Sequence, residues 1–188
     1  MHATSNTSQG SIILSPIGNF EARLIALVAK EVYRFFGYRT DIMPLLKNVD
    51  FALESKRRQY YSTPILERLS DLAPPHTIKI LAITRVDLFI PILTHVYGEA
   101  QLGGTSCIIS TSRLDEGLRL GVWESFSQRV VKEAIHELGH TFNLRHCKDR
   151  SCGMHYCRTI EDVDRKSGQF CRYCRILLAD EMKRLTKK

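Results

Sequence analysis

The chain has 188 residues, 44% of them apolar and 25% charged, and carries a formal charge of +7. That is enough apolar content for one domain with a substantial core, and no stretch approaches the ~18 uncharged apolar residues of a membrane span. The polar opening MHATSNTSQGS lacks an apolar segment, which argues against a secretory signal and makes residues 1–10 a disordered leader.

In chain order, SIILSPIG (11–18) predicts a short buried strand. Asn19 can then cap a helix whose apolar residues Phe20, Leu24, Leu27, Val28, Val32 and Phe35 repeat at helical spacing up to Gly37. YRTDIMP (38–44) reads as a second strand closed by Pro44. A charged stretch follows, then a helical pattern on Ile65, Leu66, Leu69 and Leu72, stopped by Pro74-Pro75. TIKILAIT (77–84) is the clearest central strand. THVYGEAQL (94–102) and TSCIIST (105–111) predict neighbouring strands joined across Gly103-Gly104, with Cys107 a small buried core residue. A long helix runs from about Ser125 to Asn143, followed by short, charged, cysteine-rich loops and a last helix from about Cys171 to Lys183. This order implies an α/β chain with a mostly parallel sheet, right-handed crossovers and one antiparallel edge strand.

The segment HELGHTFNLRHC (136–147) carries the chemistry. On a helical wheel Val130, Val131, Ala134, Ile135, Leu138 and Phe142 share one arc, and His136 and His140 fall together on the opposite face. Two imidazoles one turn apart, with His146 six residues on, make a three-histidine set for one Zn²⁺ with a fourth position left to water. The competing explanation is a solvated polar face, since Lys132 and Glu133 flank it. Glu137 follows the first histidine, placed to take a proton from a zinc-activated water and pass it to a leaving amine. His146 can converge on the ion only if the chain turns near residue 143, and after glycine asparagine tolerates a left-handed bend best, so Asn143 preserves the geometry. Gly139 either clears space between the ligands or permits close packing.

Five of the six cysteines lie beyond residue 146. Cys147-x4-Cys152 and Cys171-x2-Cys174 have the paired spacing of a closed four-thiolate zinc site, although Cys157 could displace Cys152. From Arg145 onward there are twelve Lys and Arg against six acidic residues. Such a balance suits a thiolate cluster as well as a nucleic acid, and the lack of aromatic interleaving argues against the latter.

Taken together, HELGHTFNLRHCKDRSCGM, the later CRYC and the upstream DLFIPILTHVYGEAQLGG resemble the archaemetzincin family of the metzincin clan. The resemblance covers most of residues 11–182 and implies a metzincin-like fold. That fold is a twisted, mostly parallel sheet whose antiparallel edge strand (near 96–102) overhangs the cleft, flanking helices that include the zinc helix, and a small zinc-stabilised C-terminal subdomain. It favours Cys147, Cys152, Cys171 and Cys174 as the thiolates and makes Met154 the methionine turn beneath the ligands. Asn143 departs from the family glycine, and Tyr156, two residues after Met154, is similar to a tyrosine that approaches the metal in the astacin-like branch.

The expected molecule is one domain over 11–188, divided at 143/144. Its expected function is zinc-dependent peptide-bond hydrolysis with two zinc ions, one catalytic and one structural. Peptide or protein would be its substrate, a monomer its state, the cytoplasm its compartment, and neither membrane nor nucleic acid its partner. The alternative function is a zinc-stabilised binding module with little or no proteolytic activity that contacts nucleic acid or a protein partner through the basic C-terminal part. A narrower variant, an aminopeptidase, would need an acidic group for the substrate's amine, for which Glu99 is the candidate.

Overall fold

The computed structural model describes residues 10–118 and 122–185; the expected leader, apart from Gly10, lies outside the described residues. Ser11–Pro16 forms β1, buried over five of its six residues. α1 (Ala22–Phe36) buries Leu24, Ile25, Val28, Val32 and Phe36 and ends at Gly37, whose φ of 75° closes the helix with an N–H to Tyr33 O bond of 2.8 Å. Asn19 does not cap it. Gly18 takes a left-handed φ of 87°, and the N-cap position falls two residues after Asn19, on Glu21, which is extended and whose side chain makes no capping bond.

β2 (Thr40–Ile42) then pairs with β1 in parallel. Before the next helix come two short strands, β3 (Leu53–Glu54) and β4 (Gln59–Tyr61). α2 (Ser62–Asp71) buries Ile65, Leu66 and Leu69, while Leu72 sits at its C-cap, 39% exposed. β5 (Thr77–Thr84) occupies the residues expected of the central strand. β6 (Leu88–Phe89) joins β3 and β4 in a small second sheet that the sequence did not announce. β7 (Gly98–Ala100) and β8 (Ser106–Ser110) pair antiparallel across the Gly103-Gly104 turn, completing a main sheet of order β2-β1-β5-β8-β7. β7 is its edge.

Alternation along these strands supplies two cores. Ile12, Leu14, Leu81, Ile83, Cys107 and Ile109 meet α1 and α3 (Trp123–Thr141) on one face. Ile13, Ile80, Ala82 and Ile108 meet α2 on the other. Lys79 of β5 donates to Gly104 O and Thr141 O, both at 2.7 Å, tying the edge hairpin to the C-terminal end of α3. Burial lowers its ammonium to about 8.

Beyond α3 lies α4 (Ile160–Arg165), closed at its start by a reciprocal Thr159–Asp162 capping box, and then α5 (Arg172–Leu185), which buries Cys174 and Leu178. No helix among the described residues is long and apolar enough to cross a membrane.

Candidate metal centre and cleft

α3 places the first two histidines, and its end places the third. Asn143 has φ 64°, Asn143 N–H bonds His140 O at 2.9 Å, and Leu144 N–H bonds Gly139 O at 3.1 Å. These paired bonds form a Schellman-type stop, which turns the chain so that His146 comes back over the helix. Gly103 N–H also bonds His140 O at 2.9 Å, so the edge hairpin packs on the same helix end.

His136, His140 and His146 bring their Nε2 atoms together: His140 lies 3.2 Å from each of the other two, and the three ligand atoms all lie within 4.8 Å. His136 Nδ1 is 2.7 Å from Gly153 O and His140 Nδ1 is 2.7 Å from Leu144 O. A carbonyl only accepts, so both Nδ1 atoms carry the proton and both Nε2 atoms present lone pairs. Two lone pairs facing each other at 3.2 Å repel unless a cation lies between them. Zinc–nitrogen bonds of about 2.0–2.1 Å in a tetrahedron place ligand nitrogens about 3.3 Å apart, so this donor set fits zinc. Burial, then neighbouring cationic and imidazole groups, depresses His136 strongly and His146 to about 4; burial also depresses His140. All three are therefore held in the neutral, ligating form.

The face that carries them is not solvated. Glu133, His136 and Glu137 are 2%, 4% and 5% exposed. Lys166, fully buried, brings Nζ to 2.8 Å from Glu133 Oε1 in a buried ion pair. Burial pushes the Glu137 carboxyl well up, with the Glu133 carboxylate adding to this and the Lys166 ammonium opposing it. Glu137 faces β7 where that strand has no side chain: a Cβ built on Gly98 would stand 2.6 Å from Glu137 Cγ and 2.7 Å from its Oε1. Sequence reading missed Gly98, Glu133 and Lys166. The pairing of Glu133 with Lys166 spans 33 positions and leaves no local pattern.

Around these groups lies a cleft of about 630 Å³, walled by residues 93–100 and floored by the cleft face of α3. Met154 is fully buried beneath Gly139, where an added Cβ would strike Met154 Sδ and come within 2.9 Å of Phe170, so close packing accounts for this glycine. Tyr156 sets its ring 4.9 Å from that of His146. Glu99 accepts from Thr63 Oγ1 at 2.7 Å, and its other oxygen is buried without a partner.

Cys147, Cys152, Cys171 and Cys174 converge with all four sulfurs within 4.8 Å, Cys147 and Cys171 being 3.8 Å apart, and none forms a disulfide. Tetrahedral zinc with Zn–S bonds of about 2.3 Å needs about 3.8 Å between sulfurs, so this set also fits. Cys157 stands outside the group. Its thiol, raised to about 11 by burial, turns towards His155 O. The two sets are joined by backbone. Cys147 N–H bonds Met154 O at 2.8 Å, and Gly153, which holds His136, sits between Cys152 and Met154.

Residues 46–180 match the model of peptidase family M54. The archaemetzincin of Methanopyrus kandleri is 38% identical over 135 residues, spanning 72% of this chain and 74% of the relative. That of Archaeoglobus fulgidus is 34% identical over 163 residues, spanning 87% and 95%. The crystal structure of the Methanopyrus kandleri archaemetzincin superposes with a TM-score of 0.82 at 30% identity, covering 96% of this chain and 99% of that one.

Proposed function

The chain belongs to peptidase family M54, the archaemetzincins, and is a zinc metallopeptidase; on that premise we propose that His136, His140 and His146 hold the catalytic zinc, that Glu137 is the general base, and that the four cysteines hold a second, structural zinc. The observation that carries this reading is the pair of Nδ1-protonated imidazoles whose Nε2 atoms face each other at 3.2 Å. Bound there, zinc would supply a Lewis acid for a water and for the scissile carbonyl.

The protein's own groups do the rest. Among the described residues β7 pairs with β8 alone, and Gly98, Glu99 and Ala100 line the cleft, so an extended peptide can add there as a further strand. Gly98 clears the space in which Glu137 stands between that strand and the histidines. The buried Glu137 carboxylate has a raised proton affinity, which suits a base that must take a proton from water, hold it and release it to the departing amine. Glu133 and Lys166 fix the helix turn behind it.

Gly98→Ala tests this crowding. The new methyl must push β7 or Glu137 aside, and a displacement of about 1 Å at a catalytic group costs on the order of 100-fold in rate. Turnover is expected to fall by at least about tenfold while zinc content holds; unchanged kcat/KM would show that Glu137 does not need this space.

The reading as a whole is tested by metal content and chelation. Elemental analysis of the full chain is expected to give two zinc ions. Chelation of the His-bound ion should abolish cleavage of a quenched peptide library, with activity restored by zinc. A single ion per chain, or cleavage that survives complete metal removal, would refute it.

A further inference from the structure

We propose that the cleft selects substrates bearing a carboxylate on the His146 side of the scissile bond, captured by Arg158 and Arg145. This rests on the peptidase reading and adds a substrate chemistry to it.

Basic side chains around the site are nearly all committed. Arg129 grips Asp164 with two bonds of 2.7 Å and also bonds Leu114 O and Glu116 O. Arg113 grips Asp87 in the same two-pronged way at 2.7 Å. Lys166 pairs with Glu133, and Lys132 donates to the carbonyls of Val163 and Asp164. Arg145 and Arg158 differ. Both are exposed, both line the cleft, and neither makes a side-chain ion pair among the described residues. The two acids that follow Arg158 are already engaged: Glu161 with the Thr159 side chain, and Asp162 with the backbone N–H groups of Arg158 and Thr159 and with Arg165.

Their position is set by the metal side of the cleft. Arg145 immediately precedes His146. Arg158 Cζ lies 5.7 Å from the Tyr156 ring, which lies 4.9 Å from the His146 ring. An extended peptide advances about 3.3 Å per residue, so a group beside Arg158 belongs to one of the first three residues on that side of the scissile bond. Glu99 and Glu137 also border the cleft, but Glu137 is buried and the Glu99 carboxylate is turned to Thr63 Oγ1 of α2 at 2.7 Å with its other oxygen buried, so Arg145 and Arg158 supply the exposed side-chain charge there. A peptide that carries its negative charge towards His146 and Tyr156 brings it to these two arginines. Guanidinium presents forked donors that match a carboxylate, whether from an Asp or Glu side chain or from the chain's own C-terminus.

The experiment uses zinc-loaded full-length protein and quenched peptides that differ only in Glu or Gln at each of three positions on either side of the cleaved bond. A shorter pair ends in a free or an amidated C-terminus. We expect one position on one side to favour Glu over Gln by about tenfold in kcat/KM, a preference that shrinks with added salt. Arg145→Gln/Arg158→Gln should reduce it to about twofold or less, and Arg158→Glu should favour Lys there. Preference for the free over the amidated end would assign the terminal carboxylate; preference for internal Glu assigns the side chain. Equal rates for Glu and Gln at every position, together with equal rates for the two ends, overturn the proposal. Anisotropy of the same peptides on zinc-loaded Glu137→Gln separates the two readings. Glu-selective binding without turnover in the parent protein would remove the peptidase mechanism and keep the carboxylate site. Turnover without selectivity would do the reverse.

Discussion

Glu137→Gln is expected to lower kcat by about 1,000-fold, within the range of 10²–10⁴ typical of a positioned proton-transfer group, while both zinc ions stay bound. Glutamine keeps the volume and one carbonyl oxygen of the side chain, so the space opposite Gly98 stays filled and α3 stays packed. What it loses is an oxygen that can accept and then release a proton. Metal content should not follow, because the three-donor set with atoms inside 4.8 Å comprises the histidines and not Glu137. The check is paired: single-turnover cleavage of a quenched peptide beside zinc analysis of the same preparation. A variant that still turns over within about tenfold of the parent would end the general-base assignment. One that loses zinc as well would instead place Glu137 among the groups that organise the metal.

How far such residues can be read from the sequence depends on where their partners lie. β5 was legible over Thr77–Thr84 because a strand buried on both faces shows as a β-branched and aliphatic run, interrupted here by Lys79 alone. The histidines and paired cysteines were legible because ligand spacing is local. The bend was legible too: a third histidine six residues after the second demands a reversal, and Asn143 provides it at φ 64°. What failed to show was short or distant. Strands of two and three residues such as β3, β4 and β6 carry no measurable period. α4 is only six residues long, although its Thr159–Asp162 box was there to be noticed. Glu133 looked like a solvated neighbour of the ligands because its partner Lys166 lies 33 positions further along the chain, and charge alone does not reveal pairing. Gly98 acquires its meaning only when the sheet lays β7 over α3.

Cys171→Ser is expected to damage both metal sites, and the backbone shows by what route. Cys171 donates its N–H to Cys152 Sγ at 3.2 Å and, through the shared ion, would restrain Cys147 and Cys174. Structural zinc in small loop-rich segments is part of folding itself, worth about 10 kcal/mol or more in the smallest cases. With one thiolate gone, the loop from Cys147 to Cys174 loses its fixed point. Two catalytic supports hang from that loop. Gly153 O holds the His136 Nδ1–H at 2.7 Å, and the Cys147 N–H to Met154 O bond of 2.8 Å holds the residue next to His146. Loss of a group that orients a ligating histidine typically costs about 10–100-fold in metal affinity. The variant should therefore bind one zinc instead of two at saturation, hold that remaining ion about 10–100-fold more weakly in a competition titration, and melt at a lower temperature. Retention of full His-site affinity after loss of the cysteine-bound ion would mean that the His146–Cys147 junction carries no coupling. In that case the two sites would be neighbours in sequence without being dependent in energy. The carbonyl of Gly153 argues otherwise, because it reaches His136 from inside the cysteine loop itself.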